Sequence, residues 1–229
     1  MKKLFILLII ISLFYSCSTY VYYPNGLNAP LLKEKGDIQL SLSLLNGGVD
    51  IQSAYSPIKN LGLQINANLT NLNDTEVNTD RRSGNYYFEG AAGFYKPLNT
   101  NTIFEAYIGT GAGRTFTHSD DAGTYRNTNY FKLYGQVDMG LKWKYINFGL
   151  AMREGLVNIY KNDEDNIIDD PKIFEMFFEP AIFMAVGAEK FKAKFQLGYS
   201  QSHFSAIFSY PFIIMSAGVE YKFSIGGNK

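Results

Sequence analysis

The feature that most constrains this chain is an alternation of apolar and polar residues with period 2, running from residue 37 almost to the end. Between Lys190 and Tyr199, the residues Phe191, Ala193, Phe195, Leu197 and Tyr199 share one face. Lys190, Lys192, Lys194, Gln196 and Gly198 share the other. Residues 131–143 repeat the pattern, with Phe131, Leu133, Val137, Met139, Leu141 and Trp143 against Lys132, Tyr134, Gln136, Asp138 and Lys142. An amphipathic helix would bring apolar residues back every three or four positions, and these segments do not. The chain is therefore expected to be all-β.

Ten strands are predicted, at about 37–45, 48–57, 60–70, 85–95, 102–114, 129–143, 145–157, 172–187, 190–200 and 211–224. Many reach the ~9–11 residues that a tilted strand needs to cross a bilayer, beyond the ~5–6 usual in globular proteins. The connections alternate in kind. Pro57–Asn60, Lys96–Asn101, Lys144-Tyr145 and Ala188-Glu189 read as tight turns. Asn71–Gly84, Thr115–Thr128, Asn158–Pro171 and Gln201–Tyr210 read as long polar loops, with Asn46-Gly47-Gly48 a short exception on the same side. This asymmetry implies a closed antiparallel up-and-down transmembrane β-barrel of about ten strands, eight being the alternative, with every long loop at one rim.

Alternation does not say which face points outward. Three features place the apolar face outside. Aromatic residues Tyr55, Phe94, Trp143, Phe191, Tyr221 and Phe223 gather at the short-turn ends, as an interfacial girdle does. The opposite face carries charges of both signs: Glu89, Glu105, Asp138, Glu175, Glu179 and Glu220 with Lys132, Lys142, Arg153, Lys192, Lys194 and Lys222. In a narrow barrel these can pair in the lumen instead of lining a wide channel. The last strand also ends in Val219, Tyr221 and Phe223 at alternate positions, which resembles the C-terminal signal read by the outer-membrane assembly machinery.

The N-terminus bears on the compartment. Lys2 and Lys3 precede an apolar run, Leu4 to Phe14, that suits a secretory signal and is too short to span a bilayer as a helix. Ser16-Cys17 follows, with Cys17 the single cysteine. This resembles a bacterial lipobox, in which the cysteine becomes the lipidated mature N-terminus; ordinary secretion with an incidental cysteine is the other reading. The expected organisation is a signal peptide over residues 1–17, a periplasmic tether over 18–36, a barrel over 37–224 and a tail over 225–229. The tether, with Tyr20, Tyr22, Tyr23, Pro24 and Pro30, could lie in the lumen or under the rim. An even strand count puts both barrel termini at the short-turn rim, which suits an anchor on the periplasmic side.

Tyr22-Tyr23-Pro24, Asn28 to Leu32, Glu34-Lys35-Gly36-Asp37, Ala54-Tyr55-Ser56-Pro57, Asn60 to Leu63 and Glu89 to Pro97 together resemble a group of uncharacterised outer-membrane β-barrel proteins of Gram-negative bacteria. The resemblance implies a barrel and carries no known activity.

Other candidate sites are weaker. Gly109, Gly111 and Gly113 lie in a glycine-rich stretch, but no helix follows to make a nucleotide loop; they are expected to make room for neighbours such as Tyr134. His118-Ser119-Asp120-Asp121, and His203 with Ser205, supply the residue types of a hydrolase or acyltransferase without a spacing that enforces a triad. The acidic run Asp163, Glu164, Asp165, Asp169 and Asp170 lacks the order of a calcium loop. Arg81 and Arg82 could meet lipopolysaccharide phosphates. Acidic and basic residues balance, 21 to 21, so no bulk charge draws the chain to nucleic acid. The expected partners are outer-membrane lipids with the assembly and lipoprotein-processing machinery. No cofactor or metal is expected, and a structural or ligand-binding role is expected over catalysis. A lipid-modifying enzyme and a secreted lipocalin-like carrier are the alternatives.

Overall fold

The computed structural model describes residues 22–76, 79–119, 124–162, 173–203 and 212–225. Among them the only regular elements are strands: β1 Asp37–Leu45, β2 Gly48–Tyr55, β3 Leu61–Glu76, β4 Thr79–Pro97, β5 Thr102–Ser119, β6 Thr124–Lys142, β7 Ile146–Asn162, β8 Ile173–Gly187, β9 Phe191–Tyr199, β10 Gln201–Ser202 and β11 Ile213–Ser224. The two-residue β10 continues β9, since Gln201 pairs with Phe178 in the register that sets Gly198 opposite Ala181. Ten staves result. Each pairs antiparallel with its sequence neighbour, and β1 closes on β11 from Asp37↔Ser224 to Leu45↔Ser216. The protein is a closed ten-stranded up-and-down barrel with no free sheet edge.

Burial alternates with the pleat. β9 reads exposed at Phe191, Ala193, Phe195, Leu197 and Tyr199, and buried at Lys192, Lys194, Gln196 and Gly198. The polar face is thus the inside of the barrel and the apolar face the outside. Ile108 is 72% exposed and Leu44 69%, whereas Arg153, Lys132 and Glu89 are fully buried. The girdle residues Tyr55, Phe94, Trp143, Phe191 and Tyr221 all lie exposed, with Phe223 half-buried beside Tyr221 on the same face.

The short connections 56–60, 98–101, 143–145 and 188–190 gather at one rim, here the short-turn rim, together with the start of β1 and the end of β11. The opposite, extended rim differs from expectation. Residues 71–84 and 115–128 are not loops for most of their length. Pairing of β3 with β4 continues to Glu76↔Thr79, and that of β5 with β6 to Ser119↔Thr124. β7 likewise runs on to Asn162. These strands reach 19 residues in β4 and β6, well past what a bilayer crossing needs. They read as loops because polar residues fall at both odd and even positions of the sequence there, which leaves no alternation to detect. The Asn46-Gly47 hairpin is short for a local reason. Both residues have positive φ (44° and 85°), as a two-residue turn matched to strand twist requires.

Candidate functional site

The lumen is filled by the chain's own N-terminal segment. Tyr22 to Leu32 are buried throughout, although they belong to no strand. Without a sheet ladder, the backbone polar groups of this segment must find partners among lumen side chains. They do so in order. At the short-turn rim, Leu31 and Leu32 donate their N–H groups to the two oxygens of Glu105, at 2.9 and 2.8 Å. The left-handed backbone of Leu31 (φ 51°) turns both N–H groups onto that one carboxylate, an anion nest. Lys142 donates to the Leu31 carbonyl.

Deeper in, the Asn28 carbonyl accepts from Gln136 at 2.8 Å and Gln64 at 3.1 Å, while its amide donates to Asn66 and to the Ser53 carbonyl. Gln196 brackets Leu27, accepting from its N–H and donating to its carbonyl. A Cβ at Gly26 would stand 2.9 Å from the Asp50 carboxylate, so the side chains around this point on the segment close tightly on it.

Two ionic clusters sit deeper still. Arg153 reaches Glu89 through both terminal nitrogens (3.1 and 3.3 Å), and its guanidinium also donates to Gln136 and to Asn25 of the segment. Asn25 donates back to Glu89 at 2.9 Å, completing a ring of fully buried groups. In the second cluster, Lys132 and Glu179 pair at 2.7 Å with both side chains fully buried. Tyr22 joins them, accepting from Lys132 and donating to Glu179 at 2.7 Å, with its ring against Tyr130 and Phe177.

The other expected lumenal charges also face inward, each with its own partners. Asp138 accepts from Gln136, Lys194 donates to Gln52, Glu175 accepts from Ser202, and Glu220 accepts from Asn147 and meets Lys222 at 3.4 Å. Lys192 donates to the Glu189 carbonyl at the rim. Sequence reasoning missed Asp50, which is buried and accepts from Gln52. Its signal was present, since it alternates with Val49 and Ile51. Alternation also set Gln136 and Gln196 on the polar face, but nothing marked them as holding the segment.

The three glycines of β5 lie under tyrosine rings. Tyr134 stands directly across from Gly109 and Tyr130 across from Gly113, while Tyr87 covers Gly111. A Cβ at any of the three would fall within van der Waals contact of a ring, so glycine here is the complement of bulk opposite. Tyr134 in turn lies 4.2 Å below the Arg153 guanidinium, a cation–π contact.

Outside the barrel, His203 Nε2 lies 2.9 Å from Glu154 Oε1, both side chains partly exposed. Glu154 shares the outward face of β7 with Met152 and Leu156. Cys17, Asp120, Asp121, Ser205 and the acidic residues 163–170 lie outside the described residues, as do the side chains of Arg81, Arg82, His118 and Ser119. Among the described residues no group of His, Cys, Asp and Glu could hold a metal ion. No family model matches the chain, and no curated protein is similar to it.

Proposed function

We propose that this chain is an integral outer-membrane β-barrel lipoprotein of a Gram-negative bacterium, lipidated at Cys17, with a sealed lumen. Its role is structural or ligand-presenting, exercised through the hairpins of the extended rim. The observation that carries the reading is the inverted distribution of side chains. Buried Arg153, Lys132, Glu89 and Glu179 face the axis, while a continuous outer belt of Leu, Ile, Phe and Met lies exposed. In water such a belt is an association liability; against acyl chains it is the stable surface. Closure without edges is what a hydrocarbon environment demands of a sheet. The apolar cavity that a lipocalin-like carrier needs is replaced by a polar interior packed around residues 22–32. Outer-membrane lipids and the assembly and lipoprotein-processing machinery are the partners this reading implies, with lipopolysaccharide at Arg81 and Arg82.

Gel migration of detergent-extracted protein before and after boiling tests it. The unboiled barrel should run as a distinct, faster species. A single boiling-independent band, together with solubility in the absence of detergent after removal of residues 1–17, would refute the reading.

One observation favours a second reading, catalysis on membrane lipids. The His203–Glu154 pair stands on the outward face, a base with its orienting carboxylate, and Ser205 follows two residues later in sequence. His203→Ala should then alter the acylation pattern of extracted lipids; an unchanged pattern in a folded variant removes this reading.

A further inference from the structure

The segment that fills the lumen has a direction. Going backward along the chain from Leu32 to Tyr22, the contacts climb steadily away from the short-turn rim. On β6 they pass from Lys142 (against Leu31) to Gln136 (against Asn28) to Lys132 (against Tyr22). On β4 they pass from Tyr95, packed with Leu32, to Glu89, bonded to Asn25. Tyr22 finally packs edge-on to Tyr130 and against a tilted Phe177 ring, toward the extended rim. From the geometry we infer that the polypeptide threads its own barrel, so that residues upstream of Tyr22 leave through the extended mouth. A lipid on Cys17 would then lie in the leaflet on that side, the outer surface of the cell. This inference rests on the membrane reading above.

Reach and packing together support it. Lys142 and Lys132 are ten residues apart on a tilted strand, which sets Tyr22 about 25 Å above the short-turn rim. The stretch from Cys17 to Tyr22 spans at most about 18 Å when fully extended. A return through the lumen is also blocked. Leu27, Asn28, Leu31 and Leu32, each no more than 2% exposed, already fill the passage together with the Gln, Asn and Glu side chains that hold them. The expected even strand count does place the start of β1 at the short-turn rim. The threaded segment carries the chain, as far as Tyr22, toward the opposite mouth.

Single-cysteine labelling tests the inference. Thr19→Cys, Asn99→Cys in a short turn and Thr124→Cys at the extended rim are each treated with a membrane-impermeant maleimide, on intact cells and after permeabilisation. Heat-modifiable migration verifies that each variant has folded. Cys17 is excluded as a target by its thioether, or by Cys17→Ser where it is unmodified. Threading predicts that Thr19→Cys labels as fully on intact cells as Thr124→Cys does, while Asn99→Cys labels only after permeabilisation. If Thr19→Cys instead behaves like Asn99→Cys while Thr124→Cys stays accessible, the barrel stands and the threading is overturned. If all three positions label alike and the protein needs no detergent, the membrane reading fails and the inference fails with it.

Discussion

The two faces of this barrel are specified in different ways. On the outside, Leu, Ile, Phe, Met and Tyr alternate along the strands with no evident pairing code. Such a surface requires only that each side chain be apolar. On the inside, the central charged groups have named partners: Arg153 with Glu89, Asn25 and Gln136; Lys132 with Glu179 and Tyr22; Glu105 with two backbone N–H groups. The inner face is fixed residue by residue, because a buried charge without its partner is far more costly than a misplaced methyl group. Substitutions should therefore be felt unequally on the two faces, and four of them rank the difference.

The largest effect is expected at Arg153→Met, which leaves Glu89 buried without its cation. Removing one partner of such a pair costs about 3–5 kcal/mol, read as a lowered denaturant midpoint in detergent micelles. Combining it with Glu89→Leu should recover much of the loss; a double variant as unstable as the sum of the singles would deny the coupling. Next comes Ile108→Arg on the outer belt. A cation near the bilayer midplane costs about 2–4 kcal/mol, measured by unfolding from lipid vesicles. In water the same exposed position would tolerate arginine almost without loss. Gly113→Leu should follow at about 1–3 kcal/mol, since Tyr130 must leave its place over the glycine. Smallest is Leu133→Ile, a swap on the outer belt expected to fall within about 0.5 kcal/mol. A large effect there would mean that the outer face packs against something more specific than lipid.

Deleting residues 22–32 sharpens the contrast in another way. The full chain should give no stable conductance in planar bilayers, and the deletion variant, if it inserts, should conduct. A conducting full-length protein would contradict a sealed lumen.

How legible this was in the sequence follows the same division. Alternation in residues 190–199 and 131–143 revealed both strand and phase, because one side of each faces the axis and the other does not. Residues 71–76, 79–84, 115–119 and 124–128 continue as paired strands yet looked like loops, since Asn, Thr, Ser and charged residues fall at both odd and even positions of the sequence there. Periodicity records asymmetry of environment, and where that asymmetry ends the signal ends with it. The inward charges followed from phase alone, but their pairing did not: Arg153 meets Glu89 across 64 positions of sequence and across the barrel interior. The segment 22–32 was the least legible part. It has no period, its backbone is gripped by side chains, and its direction depends on long-range amides such as Gln136 and Gln196 that carry no motif.

Whether the apolar face meets lipid is read directly by spin labels. A nitroxide at Ile108, in the middle of the outer belt, is compared with one at Thr124 on the extended rim, in vesicles with Cys17 blocked or replaced. Ile108 should collide with oxygen and be shielded from a water-soluble nickel chelate, with Thr124 showing the reverse. Nickel access at Ile108 equal to that at Thr124 would mean that the belt faces water and that the protein is no membrane barrel.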